Sequence, residues 1–282
     1  MSDLDIETGY APSSDGTQLL FRWHPVAGAR SLVVVVHGFG EHSGRYLHVM
    51  DALNEAGHAC LTIDLRGHGR SGGRRAFVER FSDYLDDVDA AVGLARERMA
   101  EGELFLIGHS MGGLVVASWI AERGDQATGF VLSSPAMGVA LPVPGWKDAL
   151  GRVMSHLLPG LAIPTGLDPN LVSRDPTVVE AYVGDRLILT RATARWYVEF
   201  LAAQAQALAR AATVTKPALV MQAGLDGLVD PTASERYAGA LGGEDVTFSR
   251  YEGLYHELFN EPEQREVLAA VAEWLDTRSS PK

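Results

Sequence analysis

Three side chains in this sequence have the types and the chain order needed to move an acyl group: Ser110, Asp226 and His256. The serine lies in Gly108-His109-Ser110-Met111-Gly112, directly after a run that reads as a strand, Glu103 to Ile107, and directly before one that reads as a helix, Met111 to Arg123. A nucleophile on so sharp a strand-to-helix turn brings neighbouring backbone close to itself, so side chains at 108 and 112 would clash. A serine hydroxyl stays a weak nucleophile until a base accepts its proton, and that base needs a third group to orient it.

The partners are expected on loops at the carboxyl ends of later strands, which converge on one crevice in an open parallel sheet. Pro217 to Gln222 reads as a strand opening into the loop that holds Asp226, and Val246 to Tyr251 as one opening into the loop that holds His256. Asp230 competes with Asp226, but it precedes Pro231 and a helix, where an aspartate is explained as an N-cap. His156 competes with His256 but falls in a different kind of segment, described below.

An acyl-transfer site also needs two preorganised N–H donors for the developing oxyanion. Met111 supplies one by following the nucleophile. Phe39, in His37-Gly38-Phe39-Gly40 after the strand Ser31 to Val36, supplies the other. A phosphate-cradling loop is the competing idea here, yet the lysine and the serine or threonine of a P-loop are missing. His68, in the glycine-rich run Asp64 to Ser71, reads as structural rather than catalytic. His37, His42 and His68 are too scattered for a metal set, so neither metal nor cofactor is expected.

The elements that must position these residues alternate in type. Asp5 to Tyr10 and Gln18 to Trp23 read as a hairpin around a run of turn formers. The uninterrupted valines at 33 to 36 read as a central strand covered on both faces. Helices are expected over Tyr46 to Glu55, Phe81 to Ala100, Ala233 to Leu241 and Pro262 to Leu275, and further strands over Ala59 to Ile63 and Gly129 to Leu132. Such alternation argues for an α/β architecture with a mostly parallel sheet. It breaks between Ser134 and about Arg210, a proline-punctuated stretch with scattered apolar residues such as Leu141, Trp146, Leu150, Leu157 and Leu158. That is too long for a structureless loop. It reads as a partly helical cap: residues 135–210 inserted into a core made of 1–134 and 211–282.

Composition narrows the partners. The chain has 282 residues, 46% hydrophobic and 21% charged, enough for one large core. A formal charge of -12 repels nucleic acid and anionic surfaces and favours a small neutral substrate. The single cysteine, Cys60, excludes an internal disulfide and reads as a packed thiol. No signal-like stretch is seen at Met1 to Asp5, and no run is long and apolar enough to span a membrane, so a cytoplasmic protein is expected.

Several separated motifs also carry a family likeness: His37 to Tyr46, Asp64 to Ser71, Gly108 to Gly113, the loop at Asp226, and Tyr251 to Glu257. On these the chain, from about Gln18 to Leu275, resembles the monoacylglycerol lipase and lysophospholipase branch of the α/β-hydrolases. The resemblance implies an α/β-hydrolase fold, a mostly parallel central sheet flanked by helices with an inserted cap. It implies cleavage of glycerol monoesters to fatty acid and glycerol through an acyl-serine. Under it, Leu157 and Leu158 belong to an apolar cap rim that takes the acyl tail and leaves room for transient membrane or micelle contact. Glu41 and Arg45 match positions beside the alcohol end, and a local salt bridge between them is the equal alternative. Phe259 departs from mammalian members, which carry a histidine there that helps to hold the alcohol. A broader carboxylesterase or lysophospholipase therefore stays open, as does, more remotely, a non-catalytic binding protein on this fold.

Overall fold

A computed structural model describes residues 6–140 and 145–279 of the chain, with the side chains at 146–148 and 150 not described. Met1 to Asp5, Leu141 and the side chains of Trp146 and Leu150 thus lie outside the described residues. Eight strands form one sheet in the order β1-β2-β4-β3-β5-β6-β9-β10. In chain order they are β1 (Glu7–Pro12), β2 (Gln18–His24), β3 (Ser31–Val36), β4 (His58–Ile63), β5 (Glu103–His109), β6 (Gly129–Ser133), β9 (Ala218–Ala223) and β10 (Val246–Tyr251). The hairpin β1–β2 is antiparallel and joins β4 antiparallel, whereas every pairing from β4 to β10 is parallel.

Why β3 sits at the centre follows from its side chains. Val34 and Val36 enter one hydrophobic cluster and Val33 and Val35 the other, and none is exposed. Successive side chains point to opposite faces, so an all-apolar strand is stable only where both faces are covered. Burying each valine contributes roughly 1.5 to 3 kcal/mol. One face is covered by α2 (Ser82–Arg98) and α3 (Met111–Arg123), the other by α1 (Leu47–Glu55) and α8 (Gln264–Asp276). Cys60 packs in the second cluster, and burial raises its thiol above the ordinary range.

Among the described residues between β6 and β9, no strand joins the main sheet. This stretch holds α4 (Gly145–Leu157), α5 (Pro176–Gly184) and α6 (Ala194–Arg210), with a two-stranded antiparallel sheet of β7 (Ala162–Pro164) and β8 (Arg191–Thr193). Three-residue strands leave no periodic signal, which is why that sheet was not anticipated. Two helix starts differ from expectation by two residues. The helix after Asp230 is α7 (Pro231–Ala240), beginning at the proline; Asp230 caps it by accepting from Thr232 N at 2.9 Å. Conversely, α8 begins at Gln264, with Glu263 at the N-cap, so Pro262 precedes the helix rather than occupying its first turn.

Candidate active site

Ser110 sits between β5 and α3 at φ 52° and ψ -119°, a conformation rarely adopted by residues with a Cβ and one that surrounding structure must enforce. The enforcement comes from β6 and the segment after it. Ser110 N donates to Ser133 O at 3.0 Å, and Ser110 O accepts from Ala136 N at 2.9 Å. A Cβ at 108 would run into the Gly112 carbonyl, and one at 112 into the carbonyls of Val36 and His37. The two glycines are therefore conditions of the turn itself.

His256 and Asp226 meet where β10 and β9 end. His256 Nδ1 lies 2.8 Å from Asp226 Oδ2. The other carboxylate oxygen accepts from Leu228 N at 2.9 Å and Val229 N at 3.0 Å. Burial opposes the Asp226 charge, but His256 and the two amides outweigh it and hold the carboxyl below its ordinary value. For His256 burial pulls downward, yet Asp226, with Glu257 and Glu41 further off, raises the imidazole above its ordinary value. Because Asp226 accepts, the proton is assigned to Nδ1, which leaves Nε2 as the acceptor a base requires. His109, next to the serine in sequence, packs on the His256 ring with centroids 4.7 Å apart.

The loop after β3 approaches the serine closely: a Cβ at Gly38 would lie 3.2 Å from Ser110 Cβ. Glu41 shapes this loop, accepting from Gly38 N at 2.6 Å, Tyr46 Oη at 2.6 Å and Arg45 Nη1 at 2.7 Å. Arg45 also forms a bidentate pair with Glu257, both bonds 2.7 Å. Burial works against the Glu41 charge, but Arg45 and the neighbouring histidines pull its carboxyl down to about 2. Of the two readings for Glu41 and Arg45, the local salt bridge is therefore formed. Met111 opens α3, so its N–H has no intrahelical acceptor. Phe39 follows Gly38 and turns its ring toward Trp196 of α6, with centroids 4.0 Å apart.

Other expected residues lie elsewhere. Leu157 and Leu158, at the end of α4, are 71% and 54% exposed. Phe259 is buried in the cluster between the sheet and α1 and α8, and its carbonyl faces His48 Nε2 at 2.8 Å. His68 is fully buried, with Nδ1 3.0 Å from the Arg66 carbonyl. Three participants escaped the sequence reading. Gln222 donates to Asp226 Oδ2 at 3.0 Å; Glu257 holds Arg45; Tyr182 of α5 lies under the Arg45 guanidinium, 4.9 Å from its ring centroid. A glutamine ending an apolar strand, and a glutamate directly after the base, were the available signals.

Comparison with known proteins agrees with this architecture. The family model described as serine aminopeptidase, S33, matches residues 27–263. A monoacylglycerol lipase of Mycolicibacterium smegmatis is 37% identical over 257 residues, 90% of each chain. The phospholipase YtpA of Bacillus subtilis is 34% identical over 87% of this chain and 95% of its own. Among solved structures, the monoacylglycerol lipase of Paleococcus ferrophilus superposes with a TM-score of 0.82 at 31% identity, covering 98% of this chain and 100% of that one. The chain thus belongs to the serine aminopeptidase S33 family, within the α/β-hydrolase superfamily.

Proposed function

We propose that this protein hydrolyses monoacylglycerols to fatty acid and glycerol, with Ser110 as nucleophile, His256 as base and Asp226 as the group that orients it. The observation that carries the reading is the buried 2.8 Å His256–Asp226 pair at the ends of β10 and β9, on the same carboxyl edge of the parallel sheet as the strained serine turn after β5. Ser110 Oγ attacks the ester carbonyl while His256 Nε2 takes its proton, and the Phe39 and Met111 amides hold the oxyanion. The imidazolium then returns the proton to the departing glycerol oxygen. Water repeats the sequence on the acyl-serine.

Charge supports a neutral ester over a peptide with a free amino terminus. A substrate ammonium requires an available carboxylate, but Glu41 and Glu257 beside the site are both engaged by Arg45. The exposed apolar side chains Val153, Leu157, Leu158, Leu161 and Ile163 support transient contact of the insertion with a micelle or membrane surface. The same side chains make it the expected route for an acyl tail.

A second reading, a broad carboxylesterase or lysophospholipase, is favoured by Phe259. Its ring is only 2% exposed and packs in the core, offering the alcohol no polar group. A panel that varies acyl length and alcohol independently separates the two. Monoacylglycerol lipase activity predicts that glycerol esters are turned over well ahead of methyl esters of the same acid. Equal rates assign the broader activity.

A further inference from the structure

We infer that Trp196, in the first turn of α6, is a positioning residue for the oxyanion loop, holding the Phe39 ring and through it the Phe39 N–H. The inference rests on the reading of that N–H as an oxyanion donor. It concerns a pair of side chains that lie in different parts of the chain, one after β3 and one in the insertion.

The Phe39 ring meets two other aromatic rings. Trp196 lies 4.0 Å away between centroids at an interplanar angle of 38°, and His68 meets it edge-on at 5.6 Å and 84°. Trp196 is in turn backed by Phe200, stacked at 4.8 Å and 14°. Packed aromatic pairs stabilise one another beyond simple burial, which favours one arrangement of a short loop with a glycine on either side of Phe39.

The start of α6 is itself fixed to the core, so the contact has a rigid base. Thr193 Oγ1 donates to Ala76 O at 2.6 Å and accepts from Trp196 N at 3.4 Å. One turn further on, Glu199 accepts from Phe81 N at 3.1 Å. A main-chain tie runs alongside: Leu189 N donates to Gly40 O at 2.7 Å. A Cβ at Gly40 would lie 2.8 Å from Leu189 O, so this approach requires glycine.

The ring, rather than the indole donor, does the holding. Trp196 is buried, and its Nε1 interacts with the Tyr84 hydroxyl of α2. Replacement by phenylalanine keeps an aromatic face against Phe39 and removes the N–H that reaches Tyr84, whereas leucine removes the face.

The test is steady-state hydrolysis of p-nitrophenyl butyrate by the full chain, with Trp196→Leu, Trp196→Phe, Phe39→Leu and the Phe39→Leu/Trp196→Leu double variant. A misplaced donor acts on the transition state, so Trp196→Leu is expected to lower kcat by about tenfold to a hundredfold with KM changed less than about threefold. Trp196→Phe is expected to keep kcat within about threefold of the unaltered chain, and Trp196→Leu to add little on top of Phe39→Leu. An unchanged kcat in Trp196→Leu, a loss confined to KM, or a full additional loss in the double variant overturns the inference. If Trp196→Leu does not fold, Phe39→Leu alone reads the same contact from the other side, and an undiminished kcat there overturns it. Failure of the underlying reading registers differently, as hydrolysis that survives Ser110→Ala, and removes both.

Discussion

His256 Nδ1 and Asp226 Oδ2 lie 2.8 Å apart, with the histidine side chain 6% exposed and the aspartate side chain fully buried. The aspartate raises the imidazole above its ordinary value of 6.5 against the downward pull of burial. A base must be neutral to act, so activity falls as pH drops through this raised value. The acid limb of kcat/KM is accordingly expected above pH 6.5. Asp226→Asn removes the charge that raises it, so the limb moves to lower pH while kcat falls by about 10⁴ through loss of the correct tautomer. A pH profile of both proteins checks the direction; a limb that stays put disconnects Asp226 from the titrating base.

Arg45 holds two carboxylates, Glu41 and Glu257, in a largely buried cluster. Arg45→Met leaves both without their cation and is expected to cost about 3 to 5 kcal/mol in denaturant unfolding at neutral pH. In the unaltered protein the Glu41 carboxyl is held at about 2 against an ordinary 4.5. The stability it contributes is complete above 4.5 and is lost as pH falls through about 2. Without Arg45, burial drives Glu41 toward protonation, so the deficit of the variant shrinks on acidification. A deficit that grows instead contradicts the assignment of Arg45 as the stabilising cation.

Gly112→Ala places a Cβ against the Val36 and His37 carbonyls, all main-chain atoms that cannot swing aside. Loss of hydrolysis by at least about a hundredfold is expected, from displacement of the serine and both oxyanion amides together. Circular dichroism separates a displaced turn from a chain that has not folded. Near-normal kcat contradicts the steric requirement for glycine at 112.

Leu157→Ser and Leu158→Ser alter exposed side chains, and stability is expected to change by less than about 0.5 kcal/mol. If the insertion receives acyl tails, hydrolysis of a long-chain monoacylglycerol in micelles falls while that of a short soluble ester is kept. Equal effects on both substrates remove the tail-binding role.

How much of this was visible beforehand depended on the range of the interactions involved. The serine turn announces itself because its steric requirement is local: glycine at 108 and 112 is written in five consecutive residues. Parallel strands such as β3 announce themselves because burial on both faces demands an unbroken apolar run. Asp226 and His256 were legible through position, since strand ends converge whatever the details of packing. The Arg45–Glu257 pair spans 212 residues, and the Phe39–Trp196 contact joins the core to the insertion. No local pattern encodes either. The small β7–β8 sheet escaped for another reason, because its three-residue strands are shorter than the run of at least about four over which alternation can be recognised.

The central claim, that Ser110 is the acyl-accepting nucleophile activated by His256, is tested most directly by mapping a covalent adduct. The full chain is treated with an alkyl fluorophosphonate and analysed by peptide mass spectrometry. The expected result is one adduct, on the peptide that carries Ser110, greatly slowed in His256→Ala and abolished in Ser110→Ala. An adduct on another residue, or labelling of Ser110 at an undiminished rate without His256, contradicts it.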